Sequence, residues 1–200
     1  MSITFEQLKA RLSFIEIKES EWHQHNKGGG WVRNTAHVDE SATVEGIVSG
    51  NAQVSGNAKV YGNAQVSGNA QVYGDAEVYG DASVYGDASV YGNAKVSGDA
   101  QVSGNAQVSG DVWEHSPLQI KGSVHSVTTC NHTEIQIGCQ IHTAKEWQLH
   151  FEQIGKAHGY TASQIEEYGL IVNLAASWLQ SKFGDREKRD AKGRFAKREA

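Results

Sequence analysis

Glycine returns every six residues from Gly50 to Gly110, and valine keeps the same beat from Val48 to Val108. Alanine follows from Ala52 to Ala106, so the unit is Val-(Ser/Tyr)-Gly-(Asn/Asp)-Ala-x, with Val112 in the last alanine place. An internal repeat of this regularity limits the fold before any other property does. Six residues match neither the 3.6-residue turn of a helix nor a stack of hairpins. They match a very short strand followed by a corner. Valine is the β-branched residue that faces inward from such a strand. Gly-Asn and Gly-Asp supply the positive-φ backbone of the corner, and alanine is small enough to lie inside it. An upstream set, Val32, Ala36, Val38, Ala42 and Val44, keeps the spacing. The register slips once near Glu45-Gly46-Ile47, where Val44 and Val48 are four residues apart.

Three strand-and-corner units close a triangular coil of about 18 residues, and coils stack at about 4.8 Å. About 14 hexads give roughly 4.7 coils and a prism about 20 Å long. Each coil buries little alone, so stability comes from stacking neighbours. The composition agrees: 22 glycines stand against one proline, which would interrupt the strand ladders. The same imbalance excludes collagen. The expected fold is mainly β: a parallel β-helix over residues 32–113, preceded by an N-terminal segment and cap (1–31). A small α+β module (114–184) and a basic tail expected to be disordered (185–200) follow.

The run Val54-Ser55-Gly56-Asn57-Ala58-Lys59-Val60 resembles the hexapeptide repeat of left-handed parallel β-helix proteins, a family that includes many trimeric acyltransferases. The resemblance implies a left-handed coil and a homotrimer. It also offers acyl transfer from acyl-coenzyme A, with a histidine as general base between subunits. The run of hexads from Val48 to Val108 holds no histidine and no inserted loop. His37 and His115 lie near the two ends of the prism, outside any catalytic pattern, so acyl transfer is the alternative reading.

The residue after each valine points outward and is serine or tyrosine. A coil of about 18 residues stacks Tyr61 on Tyr79 on one face and Tyr73 on Tyr91 on a second, with Tyr85 on the third. These five tyrosines form a contact surface for a partner, or a cross-coil stack that stabilises the faces. A tyrosine-bearing face is the expected trimer interface.

The net charge of −5 is unevenly spread. Residues 38–111 carry nine acidic side chains against Lys59 and Lys95. An acidic prism suggests a DNA mimic that inhibits a host nucleic-acid enzyme. Yet aspartate alternates with asparagine at corners, where both serve turn geometry. The tail inverts the sign with Arg186, Lys188, Arg189, Lys192, Arg194, Lys197 and Arg198. It resembles basic tails of phage-encoded proteins and would make weak, salt-sensitive phosphate contacts.

At the N-terminus Phe5, Leu8 and Leu12 suit a short helix, and Phe14, Ile15 and Ile17 suit a strand. Gly28-Gly29-Gly30 lacks the Gly-Lys-Ser/Thr of a phosphate loop. Trp31 is expected to lid the open end of the valine column. Gly-Gly-Trp-Val ahead of the repeats resembles the opening of transferase-like hexapeptide-repeat proteins of bacteria.

After Val112-Trp113 the hexads stop. Residues 118–129 suggest one or two strands, and Asn131-His132 a turn. Ile135, Ile137, Cys139 and Ile141 alternate with polar or small residues, predicting one half-buried strand with Cys139 facing the core. Thr143-Ala144-Lys145-Glu146 is a capping box opening a helix with Trp147, Phe151 and Ile154 on one side, ending at Gly155 or, better, Gly159. A second helix spans 163–183 and stops at Gly184. The pattern Ile137-Gly138-Cys139-Gln140-Ile141-His142-Thr143, Trp147, His158-Gly159, Glu167-Tyr168 resembles a β-hairpin-plus-two-helix module of phage and prophage proteins.

Cys130, His132, Cys139 and His142 have the chemistry of zinc ligands, but one strand aims Cys139 and His142 to opposite sides. A thiolate pair of Cys130 with His132 or His125 lacks an orienting third residue. No metal or cofactor is expected. Two cysteines give no disulfide framework, which fits a reducing cytoplasm. The start shows no secretory signal, and no run of about 20 apolar residues suggests a membrane span. The leading expectation is a non-enzymatic, phage- or prophage-type intracellular scaffold. In it the prism is a rigid spacer and self-association element, and the C-terminal module contacts a protein partner.

Overall fold

A computed structural model describes residues 3–184 and divides the chain into two units, the first ending at Pro117. The basic tail, with the seven cationic residues named above, lies outside the described residues. After β1 (Trp22–Gln24), the first unit is a parallel β-solenoid of fifteen strands, β2 (Trp31–Arg33) through β16 (Val112–Trp113), in three faces. Face A stacks Trp31–Arg33, Ile47–Val48, Gln65–Val66, Ser83–Val84 and Gln101–Val102. Face B stacks His37–Val38, Gln53–Val54, Gln71–Val72, Ser89–Tyr91 and Gln107–Ser109. Face C stacks Thr43–Val44, Lys59–Val60, Glu77–Val78, Lys95–Val96 and Val112–Trp113. Five strands per face make about five coils, the number that the hexad count implies.

From Ile47 to Asp87 each hexad sends three backbone hydrogen bonds to the next coil. Lys59 N–H donates to Ala76 O at 2.9 Å, Tyr61 to Val78 O at 3.0 Å and Asn63 to Gly80 O at 2.9 Å. The backbone of a two-residue strand is thereby satisfied although the strand itself is too short to stand alone. From Ala42 to Val108 every inward valine and alanine of the repeat is at most 1 % exposed. Corner glycines have φ between +56° and +75°. At Gly68 the crowding adds to that demand, because a Cβ would lie 2.9 Å from Gly86 N and O.

The ends of the solenoid depart from the repeat. At the start, α1 (Phe5–Arg11), held by the Thr4/Gln7 capping box, packs Leu8 and Leu12 with Ile17, Trp22, Trp31 and Ile47. Trp31 is therefore not a lid on the valine column. It precedes the inward Val32 by one residue, so strand parity turns it outward on face A, under Leu8 and Leu12. Residues 25–30 run along Val44 instead: Val44 N–H donates to Lys27 O at 2.9 Å and Gly30 N–H to Val44 O at 2.7 Å. The glycine triplet has a packing cause, since a Cβ on Gly28 would lie 2.3 Å from Val44 O. The expected strand over 14–17 does not form. The chain leaves α1 in a turn closed by Ile15 N–H to Leu12 O, leaves Phe14 77 % exposed, and pairs only from Trp22.

At the far end the corner at Gly110-Asp111 is one residue short, with φ of +56° and +55°. Val112 thus pairs with Lys95 and not as a corner alanine, and Trp113 pairs with Val96 in the valine slot, fully buried. A large indole where every other coil has a valine closes the column.

The second unit has four antiparallel strands, where the sequence suggests a hairpin: β17 (Gln119–Lys121), β18 (Ser126–Thr129), β19 (Glu134–Ile137) and β20 (Gln140–Thr143). Two helices packed on each other follow, α2 (Ala144–Ala157) and α3 (Ala162–Phe183). Capping boxes at Thr143/Glu146 and Thr161/Gln164 open them. The expected single strand 135–141 is two strands. Gly138, at φ +58°, turns the chain, so Ile135 pairs with His142 and Ile137 with Gln140. The turn ends the alternation: Cys139 lies exposed at the hairpin tip, and Ile141 is 40 % exposed. The buried cysteine is Cys130.

Candidate functional site: tyrosine stacks and a cleft in the C-terminal unit

The outward tyrosines lie as the 18-residue coil dictates. Tyr61 and Tyr79 stack on face C at 5.0 Å between centroids, tilted 3°; Tyr73 and Tyr91 stack on face B at 5.3 Å, tilted 8°. Tyr85 lies on face A, with its hydroxyl 3.2 Å from Gln101 Oε1. The faces differ in chemistry. On face C, Glu77 is held between Lys59 at 3.2 Å and Lys95 at 3.5 Å and accepts from Tyr61 Oη at 3.2 Å. Burial acts to raise the Glu77 pKa, yet the hydrogen bond and charge of Lys59, helped by Lys95, hold it below the usual value. Burial and the neighbouring Glu77 push the Tyr61 hydroxyl up to about 12. Face B presents Gln53, Gln71, Ser89 and Gln107 beside its tyrosine pair, and carries a carboxylate only in its first coil, where Asp39 pairs with His37 at 3.2 Å.

The acidic surplus has a structural use. Asn57 donates to Asp75 at 3.1 Å, Asn63 to Asp81 at 2.8 Å and Asn69 to Asp87 at 2.9 Å. Amide donors of one coil thus meet carboxylate acceptors of the next, which ties these three corner aspartates to the stack.

The zinc-type candidates do not assemble, and among the described residues no group of three or more His, Cys, Asp or Glu could hold a metal ion. Cys130 donates to Glu134 O at 3.6 Å. Burial, with the Glu134 charge second, pushes its thiol up to about 11. Buried in the core, the thiol is disfavoured as a thiolate. His132 stacks on Phe183 at 3.9 Å, and His142 stands edge-on to Trp147 at 5.0 Å.

The sequence pattern of the C-terminal module converges elsewhere. Ile137, Cys139, Gln140, Trp147, His158, Gly159 and Tyr168 all line one cleft of about 290 Å³, completed by His125, Phe151, Ile154, Tyr160 and Ile165 among others. Its walls come from β19, β20 and the α2–α3 hairpin. Trp147 is fixed by its indole N–H donating to Ile135 O at 2.7 Å. Tyr168 pins the loop before β18: its hydroxyl accepts from His125 N–H at 2.6 Å and Val124 N–H at 3.1 Å, and donates to His125 O at 2.8 Å. Glu167 secures the same loop by accepting from Ser123 N–H at 2.8 Å and Ser123 Oγ at 2.5 Å. Tyr160 packs 5.1 Å from Tyr168, and burial followed by that neighbour raises its pKa.

No carboxylate, lysine or arginine lines the cleft; its polar groups are imidazoles, amides, hydroxyls and the Cys139 thiol. Such a lining favours an uncharged apolar group, and the volume suits one or two large side chains. Sequence reading does not reveal the cleft, because its residues come from several separate elements. The signal it leaves is the spacing of Trp147, Phe151, Ile154 and Tyr168 next to the glycine turns.

Residues 52–68, 70–86 and 100–116 match the family model described as the YdcK beta solenoid repeat. No curated protein and no solved structure matches the chain. Among the described residues no helix is long and apolar enough to cross a membrane.

Proposed function

We propose that this β-solenoid repeat protein is a non-enzymatic binding scaffold of phage or prophage type, acting in the cytoplasm. The solenoid is the rigid element, and the C-terminal cleft takes an apolar side chain of a protein partner. The observation that carries this reading is the convergence of the module's signature residues, Trp147, His158, Gly159 and Tyr168, on one uncharged cleft. The resemblance of that module to phage and prophage proteins supports the assignment of origin. Acyl transfer has less support, because the hexads from Val48 to Val108 offer no histidine base.

Self-association to a homotrimer runs through face B. Beyond its first coil, where Asp39 pairs with His37, its outward row is uncharged, and its tyrosine pair is the more exposed, with Tyr73 at 38 %. Flat aromatic surface whose one ion pair lies at its edge, away from the tyrosines, is the composition of an interface centre. The basic tail adds salt-sensitive contacts to nucleic-acid phosphates.

The test is capture from host lysate with the full chain and with Gln140→Trp, which fills the cleft from its rim. A specific partner retained by the wild type and by Tyr73→Glu, but reduced about tenfold by Gln140→Trp, is the expected result. Identical sets of bound proteins on all three would refute the cleft as the contact.

A further inference from the structure

The outward side of α3 carries a pattern that the described residues of its unit leave exposed. Tyr168, Val172, Ala175, Leu179 and Phe183 form the buried side of the helix, which packs on α2, β18 and β19. On the opposite side Leu170 is 70 % exposed and Leu174 57 %. Extending their four-residue spacing in both directions gives the row Glu166, Leu170, Leu174, Trp178, Lys182. It has an acid at one end, a base at the other and three large apolar side chains between. Trp178 is half-buried, edge-on to Phe183 at 5.9 Å.

This row is complementary to itself when reversed. A two-fold axis at Leu174 sets Leu174 against its copy, Leu170 against Trp178 and Glu166 against Lys182, each of the last two pairs occurring twice. Rows spaced by four are the ridges that interlock in the commonest class of helix packing, at a crossing angle of about −50°. A shallow groove between α2 and α3, bordered by Glu166, Gly169, Leu170 and Asn173, lies beside Leu170 and can receive the opposing indole. A parallel arrangement would instead oppose like charges at both ends. The chain itself supplies the surface that the row fits, which is the condition for an isologous contact.

We propose that α3 pairs antiparallel with α3 of a second copy, joining two chains through their C-terminal units. This contact is separate from the cleft and from face B of the solenoid.

The test is the mass of the full-length protein in solution by sedimentation equilibrium. Leu174→Glu is expected to halve the mass of the wild-type species, with the circular dichroism spectrum unchanged. A ratio of two is distinct from the ratio of three expected when Tyr73→Glu breaks a trimer. Glu166→Lys and Lys182→Glu are each expected to weaken pairing about tenfold, while their equimolar mixture restores it as a heterodimer. The charge variants decide the matter if Leu174→Glu does not fold. The proposal is overturned if folded Leu174→Glu keeps the wild-type mass, or if the mixture pairs no better than either variant alone. A drop in melting temperature at unchanged mass would also overturn it, because the row would then be covered within one chain.

Discussion

The two units of this protein stabilise themselves in opposite ways. In the solenoid the same few contacts recur: valine on valine, alanine in the corner and three backbone hydrogen bonds per hexad. In the C-terminal unit the main contacts are unique, among them Trp147 to Ile135 and Tyr168 to the 124–125 backbone. Repetition makes the cost of a substitution depend on the slot, whichever coil holds it. Uniqueness makes it depend on the individual side chain.

The sharpest way to break this comparison is to damage one unit and watch the other. Val78→Asp places a carboxylate in a fully buried slot and should cost more than about 4 kcal/mol. We expect loss of the solenoid's β signal while the helical signal of α2 and α3 persists; joint loss would show that the units fold as one. Trp147→Ala should cost about 3–5 kcal/mol in the C-terminal unit, read by urea unfolding followed by far-ultraviolet circular dichroism, and leave the solenoid transition in place.

A smaller effect contrasts two glycines of similar backbone. Gly68 has φ +70°, and a methyl group there would sit 2.9 Å from the Gly86 backbone, whereas Gly159 has φ +75° and open space. Gly68→Ala should therefore cost about 2–3 kcal/mol and Gly159→Ala about 1 kcal/mol, compared by thermal melts. Equal losses would show that the φ value, and not the stacked neighbour, decides.

Alkaline pH probes the C-terminal unit. The Cys130 thiol titrates near 9.0 when unfolded and is held up to about 11 when folded. The folded state therefore keeps its full advantage below about 9 and loses stability as pH rises towards about 11. Cys130→Ala should flatten that loss in the C-terminal unit. In native protein a thiol reagent should modify the exposed Cys139 and spare Cys130, which becomes reactive only after unfolding. The smallest effect is Tyr61→Phe, which keeps the stack on Tyr79 but removes the hydrogen bond to Glu77, and should cost under about 1 kcal/mol.

The legible parts of the sequence are those with a local physical cause. Period six fixes strand, corner and coil, so the tyrosine stacks follow by counting. The capping box at Thr143 fixes the start of α2 because its hydrogen bonds span only three residues, whereas the box at Thr161, equally local, starts α3 just ahead of the expected 163. The parts that stay hidden depend on a shift of one residue or on distant neighbours. Alternation buries Cys139 only when carried through Gly138, where the chain in fact turns. The cleft is hidden because Gln140, His158 and Tyr168 meet only when sheet and helices pack.

Sequence alone determined the solenoid, since each hexad carries its own strand former, corner former and inward pair, and stacking identical units needs no further information. Tertiary structure decided how the solenoid ends and where the cleft forms. A shortened corner sends Trp113 into a valine slot, parity turns Trp31 outward under α1, and the cleft forms from several elements at once. Local periodicity encodes contacts between neighbours that repeat, whereas a cap or a binding site is made by contacts that occur once.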